Sequence, residues 1–173
     1  MIVFSGDDDE ETVHILRNHG AKPKYYHKVI GYNSRLATVQ AAILLVKLPH
    51  LKGWSEKRIE HARRYDAAFA GVDGVDCPVV KDYTTFHIYN QYTIGVDNRE
   101  DVIAGLKQAG IGFEIYYPVP FHEQECFADL GYTAGQLPNS SRAARRVLAL
   151  PIYPELTEAE QDEVVATVTR LVS

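Results

Sequence analysis

The sequence predicts an α+β fold: a small antiparallel or mixed sheet packed with helices, with an α/β arrangement as the alternative. Three observations carry this. Two stretches near residues 34–48 and 55–69 repeat apolar residues at helical spacing. Three runs of strand character follow near 75–80, 87–96 and 112–116. A helix separates the last two runs, and a helix opened by a capping box ends the sequence.

Each element has a local reason. Ile2–Phe4 reads as a short strand and Ser5–Gly6 as a turn, with Asp8 or Asp9 capping a helix on a thin stripe of Val13 and Leu16. Gly20 suits the position after that helix. Residues 21–32 form a loop rich in lysine and tyrosine, which either binds an anion or partner or is simply solvated. Asn33 or Ser34 is placed to cap the next helix, which carries Leu36, Val39, Ile43 and Val46 on one side. Pro49 stops it.

A helix from about Ser55 buries Ile59, Ala62, Tyr65 and Phe69 and ends at Gly71 and Gly74. Val75–Val80 is an edge strand because Pro78 lacks a donor. His87–Val96 is the clearest strand, with Ile88, Tyr92, Ile94 and Val96 on one face and Asn90 interrupting it. Asp97 or Asn98 caps a helix carrying Val102, Ile103 and Leu106, closed by Gly110, before a third strand at Gly112–Tyr116. Short helices near Glu123–Leu130 and Ser140–Leu148 precede the apolar run Leu148–Ile152. Thr157 and Glu160 form the last capping box, ahead of Val164, Val168, Leu171 and Val172.

Composition excludes several function classes. The 173 residues carry a formal net charge of −5, and the basic residues do not cluster strongly, which argues against a nucleic-acid partner. The longest apolar run, Ala41–Val46, is too short to span a bilayer. The start has no positive n-region, so a secretory signal is not expected and a cytoplasmic location is. Cys77 and Cys126 match no metal or redox spacing and read as reduced thiols. No metal site is expected.

Two segments have chemical potential. A helix start presents unpaired N–H groups and a partial positive charge; Asn33 adds an amide and Arg35 a guanidinium, so Gly31–Leu44 is a candidate phosphate site. The alternative is an ordinary capped helix with a solvated arginine. In Tyr116-Tyr117-Pro118-Val119-Pro120-Phe121-His122, two prolines hold the chain extended. Its polar-tipped aromatics and His122 either line a ligand cleft or pack at the surface.

A family resemblance joins these pieces. Arg17-Asn18-His19-Gly20, Gly31-Tyr32-Asn33-Ser34-Arg35-Leu36 and Gln40–Leu44 come in order, followed by Arg58, Ala62 and Tyr65, then Tyr92. Gly110-Ile111, Tyr116-Tyr117-Pro118, Pro120, His122 and Gln124 continue the pattern, and Leu137-Pro138, Leu148–Pro151 and Pro154–Thr157 complete it. Over nearly its whole length the chain resembles the C-terminal part of the DegT/DnrJ/StrS sugar aminotransferases, fold-type I enzymes that use pyridoxal phosphate (PLP).

The resemblance implies that Asn33 reaches the PLP phosphate of a neighbouring subunit. It implies that Arg35, Tyr116, Tyr117 and His122 lie on the nucleotide-sugar side. It also implies residues 1–50 as a remnant of the large PLP domain with the start of the connecting helices, and 51–173 as the small C-terminal α+β domain. The family's chemistry needs a lysine bonded to PLP, ahead of a Gly-rich segment. This chain resembles the family from the end of that segment onward, and its lysines, from Lys22 to Lys107, all lie downstream. No catalytic residue is therefore assigned. The expectation is a truncated aminotransferase, inactive alone, whose parent reaction moves an amino group from a donor such as glutamate to a keto-sugar. The expected partner is a second copy or a chain supplying the large domain. The alternatives are a non-catalytic module pairing with a separate N-terminal half or a full-length relative, and a domain that binds anions without PLP.

Overall fold

A computed structural model describes residues 7–133 and 135–172, and its internal contacts separate residues 1–49 from residues 50–173. The expected strand at Ile2–Phe4 and the turn at Ser5–Gly6 lie outside the described residues.

In the first unit, α1 spans Asp7–Arg17 and α2 spans Thr38–Lys47. Asp9 thus lies within α1 and not at its start. The connecting loop returns along the end of α1 through backbone bonds. Tyr32 N–H donates to the Leu16 carbonyl at 2.7 Å, His19 N–H to Tyr32 at 2.9 Å, and Ser34 N–H to Arg17 at 3.0 Å. Two glycines permit this approach. A Cβ on Gly20, which has φ +73°, would fall 1.8 Å from the Val29 carbonyl oxygen, and one on Gly31 would fall 2.1 Å from the Gly20 nitrogen.

This pairing corrects the expected helix start. Asn33 bridges Asn18 and Ser34 bonds Arg17, so neither caps α2. The helix begins four residues later, after Ala37, with no side-chain cap bond. Long-range backbone pairing has overridden local capping preference. A short 3₁₀ turn, Leu48–His50, follows α2.

The second unit holds the core. α3 (Leu51–Phe69) starts four residues before the expected position. It buries Ala62, Tyr65 and Phe69. The sheet is antiparallel in the order β1 (Val75–Asp76), β2 (Tyr92–Val96), β3 (Val147–Leu150). Tyr92 faces Leu150 and Ile94 faces Leu148. These four residues and Val96 are buried with Val102 and Leu106 of α4 (Arg99–Gln108) and Val164 and Val168 of α6 (Glu158–Val172). α4 and α6 pack on each other, as do α3 and α6. The fold class is the expected α+β.

Three strand expectations need correction. Only Val75–Asp76 pairs from the expected 75–80 run, which ends ahead of the donorless Pro78. His87–Val96 shortens to Tyr92–Val96, because Tyr89 takes a left-handed φ of 46° and Ile88 turns outward. Gly112–Tyr116 makes a single bridge, Glu114 to Ala149, and the third strand is Val147–Leu150 instead. That all-apolar run has no alternation to mark it as a strand, since its last three residues are all buried.

The remaining ends behave as local chemistry dictates. α5 (Pro138–Arg146) carries proline in its first turn, where no donor is needed. Asn98 precedes α4 without capping it, and its amide donates to Leu171 at 2.7 Å. At α6, Thr157 N–H donates to Glu160 Oε2 at 2.8 Å and Glu160 N–H to Thr157 Oγ1 at 3.3 Å, a reciprocal capping box. Among the described residues no helix is long and apolar enough to cross a membrane, and no His, Cys, Asp and Glu cluster suits a metal. Cys77 and Cys126 are unpaired thiols.

Candidate functional site

In the first unit the candidate residues are Asn33 and Arg35, both exposed on the loop that the Gly20–Gly31 contact holds. Arg35 Nε and Nη2 donate to Asn33 Oδ1 at 3.2 and 3.0 Å. One amide oxygen therefore accepts two guanidinium N–H groups. The Asn33 amide nitrogen and the rest of the guanidinium remain donors, a set that suits an anion. This anion chemistry rests on two side chains and not on the start of α2.

In the second unit, Ile111, Phe113 and Ile115 pack against the core, and residues 116–120 lead away from it. The ring of Tyr117 stands edge-on to Tyr116, with centroids 5.6 Å apart; Tyr116 is half-buried and Tyr117 is 67% exposed. The Tyr116–Tyr117 peptide bond is cis. A 3₁₀ turn, Phe121–Glu123, follows, and Gln124 donates to the Val119 carbonyl at 3.3 Å.

His122 turns inward, its side chain only 7% exposed. Its Nε2 lies 3.3 Å from Glu123 Oε1 and 3.4 Å from Ser141 Oγ of α5. The Ser141 hydroxyl also donates to Glu123 Oε1. The Tyr132 ring stands edge-on to the imidazole, with centroids 5.9 Å apart. Together with Phe121, Phe127, Leu130 and Leu137, these rings line an apolar groove of about 570 Å³. The sequence pointed to His122 but not to Glu123 or Ser141. A serine inside a helix and a glutamate beside a histidine carry no distinctive spacing.

Arg58 and Tyr65 serve structure. Arg58 Nη1 donates to the Ile152 carbonyl at 2.5 Å, and the Tyr65 hydroxyl to Pro151 at 3.0 Å. They fix the turn after β3. Tyr92 donates to Asp66 Oδ1 at 2.6 Å, and burial pushes the Tyr92 and Tyr65 phenols well above their usual range.

The backbone of this chain is that of part of a fold-type I aminotransferase. It superposes on the S. venezuelae enzyme DesV, solved in complex with a ketimine intermediate, with a TM-score of 0.91 and 33% identity, over 99% of this chain and 46% of that one. Residues 1–169 match the DegT/DnrJ/EryC1/StrS aminotransferase family, to which this chain belongs. The pleiotropic regulatory protein of Geobacillus stearothermophilus is 46% identical over 166 residues, 95% of this chain and 45% of its own length. The dTDP-3-amino-3,4,6-trideoxy-alpha-D-glucose transaminase of Streptomyces venezuelae is 35% identical over 167 residues, 96% of this chain and 44% of its own length. The chain thus spans about half the length of the relatives it matches.

Proposed function

We propose that this chain supplies the C-terminal share of the site of a PLP-dependent nucleotide-sugar aminotransferase and does not catalyse amino transfer alone. The carrying observation is the exposed Asn33–Arg35 pair, whose remaining N–H groups form a donor-only surface. Such a surface fits a phosphate. In this reading Asn33 binds the cofactor phosphate of a neighbouring subunit, and Arg35 meets the phosphates or sugar of the substrate. Tyr116, Tyr117 and His122 orient the sugar side and exclude water. PLP, when bound, supplies the electron sink for moving the amino group. Residues 1–50 belong to the large domain and 51–173 to the small one.

A companion chain, a second copy or a protein bearing the large domain, is supported by α2. None of its ten residues is buried, although seven of TVQAAILLVK are aliphatic. A helix that exposes this much apolar surface belongs against an interior or interface.

Phosphate titrated into the labelled chain should shift the Asn33 and Arg35 side-chain resonances, and Arg35→Ala should abolish the response. A response unchanged in Arg35→Ala removes the anion role. Addition of PLP should give no new stable absorbance band; a band lost on mutating one lysine would show that the chain holds PLP covalently by itself and would overturn this reading. A well-behaved monomer at all concentrations would argue against the companion chain.

A further inference from the structure

We propose that Glu123 and Ser141 are positioning residues that hold His122 in its Nε2–H form, leaving Nδ1 as the acceptor the ring offers a ligand. The proposal rests on the reading above that His122 faces the sugar side, and extends it to two residues with no assigned role.

The argument begins with proton counting. A carboxylate only accepts, and a serine hydroxyl has one proton. Ser141 gives that proton to Glu123 Oε1, while the Leu137 carbonyl, 3.4 Å from Oγ, is another acceptor. His122 Nε2 therefore faces an anionic oxygen at 3.3 Å and a hydroxyl lone pair at 3.4 Å. A lone pair on Nε2 would oppose both. With the side chain only 7% exposed, water cannot relieve that clash cheaply. Nε2 must carry a proton, and in the neutral ring Nδ1 is then the acceptor.

The fold makes the arrangement rigid. Pro118 and Pro120 restrict the chain leading to the 3₁₀ turn, and Ser141 is buried within α5. Tyr132 packs against the imidazole edge-on. The ring is thus a fixed polar group on the wall of a largely apolar, aromatic groove that Ser140 also lines. An Nδ1 acceptor takes a hydroxyl or N–H donor and repels phosphate. A ligand that reaches Nδ1 would therefore have to donate a hydroxyl or N–H to it, whereas the Asn33–Arg35 donors suit an anion.

The test is a long-range proton–nitrogen NMR spectrum of the full chain at about pH 9, where an ordinary histidine is neutral. His122→Gln identifies the His122 signals. The wild type should show a protonated-type Nε2 and an unprotonated-type Nδ1. Glu123→Ala and Ser141→Ala should move the two nitrogen shifts toward each other, as in a ring exchanging between tautomers. Glu123→Gln, whose amide oxygen still accepts, should keep them apart. A protonated Nδ1 or already averaged shifts in the wild type overturns the proposal without any variant having to fold. So do shifts unchanged in both alanine variants. The phosphate response of Arg35 is read separately, so either idea can fail without the other.

Discussion

Residues 50–173 and residues 7–49 solve the burial problem differently. The larger unit encloses Tyr92, Ile94, Val96, Leu106, Leu148 and Val168 completely. The smaller one is held mainly by backbone bonds around Gly20 and Gly31, and leaves Val39 and Val46 of α2 each 72% exposed. Burial of apolar area is the dominant stabilising term in folding. Cooperative stability should therefore reside in the second unit, while α2 keeps its apolar surface available for association.

The largest break in this contrast comes from paired truncations. Leu148→Ala should destabilise the second unit by about 2–5 kcal/mol, measured by urea unfolding. Leu45→Ala, at a side chain 69% exposed, should leave that midpoint unchanged. Comparable losses from both would mean that α2 shares the core. A smaller effect is expected from Tyr92→Phe, which leaves Asp66 without its 2.6 Å donor in a partly buried place; the cost should be about 1–3 kcal/mol.

A third effect sharpens the contrast through pH. Hydrogen bonds from the Thr157 hydroxyl and N–H hold the Glu160 carboxyl below its ordinary value. A depressed carboxylate contributes stability above its unfolded pKa and loses it as pH falls through the folded one. Thr157→Ala should lower the melting temperature at neutral pH and change it least in acid, below the usual carboxylate range. Equal losses at both pH values would refute the link. Smallest of all is Arg64→Ala, which removes exposed contacts to Glu158 and Asp162 at 3.2 and 2.7 Å. Its melting temperature should be the least changed of the series, because solvent screens both contacts.

What could be read in the sequence follows the same division. Helices α3, α4 and α6 were legible because their buried residues repeat at helical spacing, and the capping box at Thr157 sits where spacing places it. Strand β3 was not, because a run buried on both faces has no period to detect. The start of α2 was misplaced because backbone pairing between residues 17–18 and 33–34 is invisible to local rules. Asn33, Arg35, Tyr116, Tyr117 and His122 could be singled out by residue type and resemblance. The Glu123–Ser141 contact could not, since eighteen residues separate the partners and only the fold brings them together.

The bonds that pin α3 to the end of the chain also set an order of assembly. Tyr65 waits for Pro151, 86 residues later, and the His61 carbonyl waits for Gln161, 100 residues later. Contacts so distant in sequence slow folding, because loop closure must come before any gain. During synthesis α3 must leave the ribosome long before its partners exist, with Tyr65 and Phe69 uncovered meanwhile. A nascent chain halted before α6 should thus remain protease-sensitive throughout the second unit, and become resistant in one step once α6 emerges.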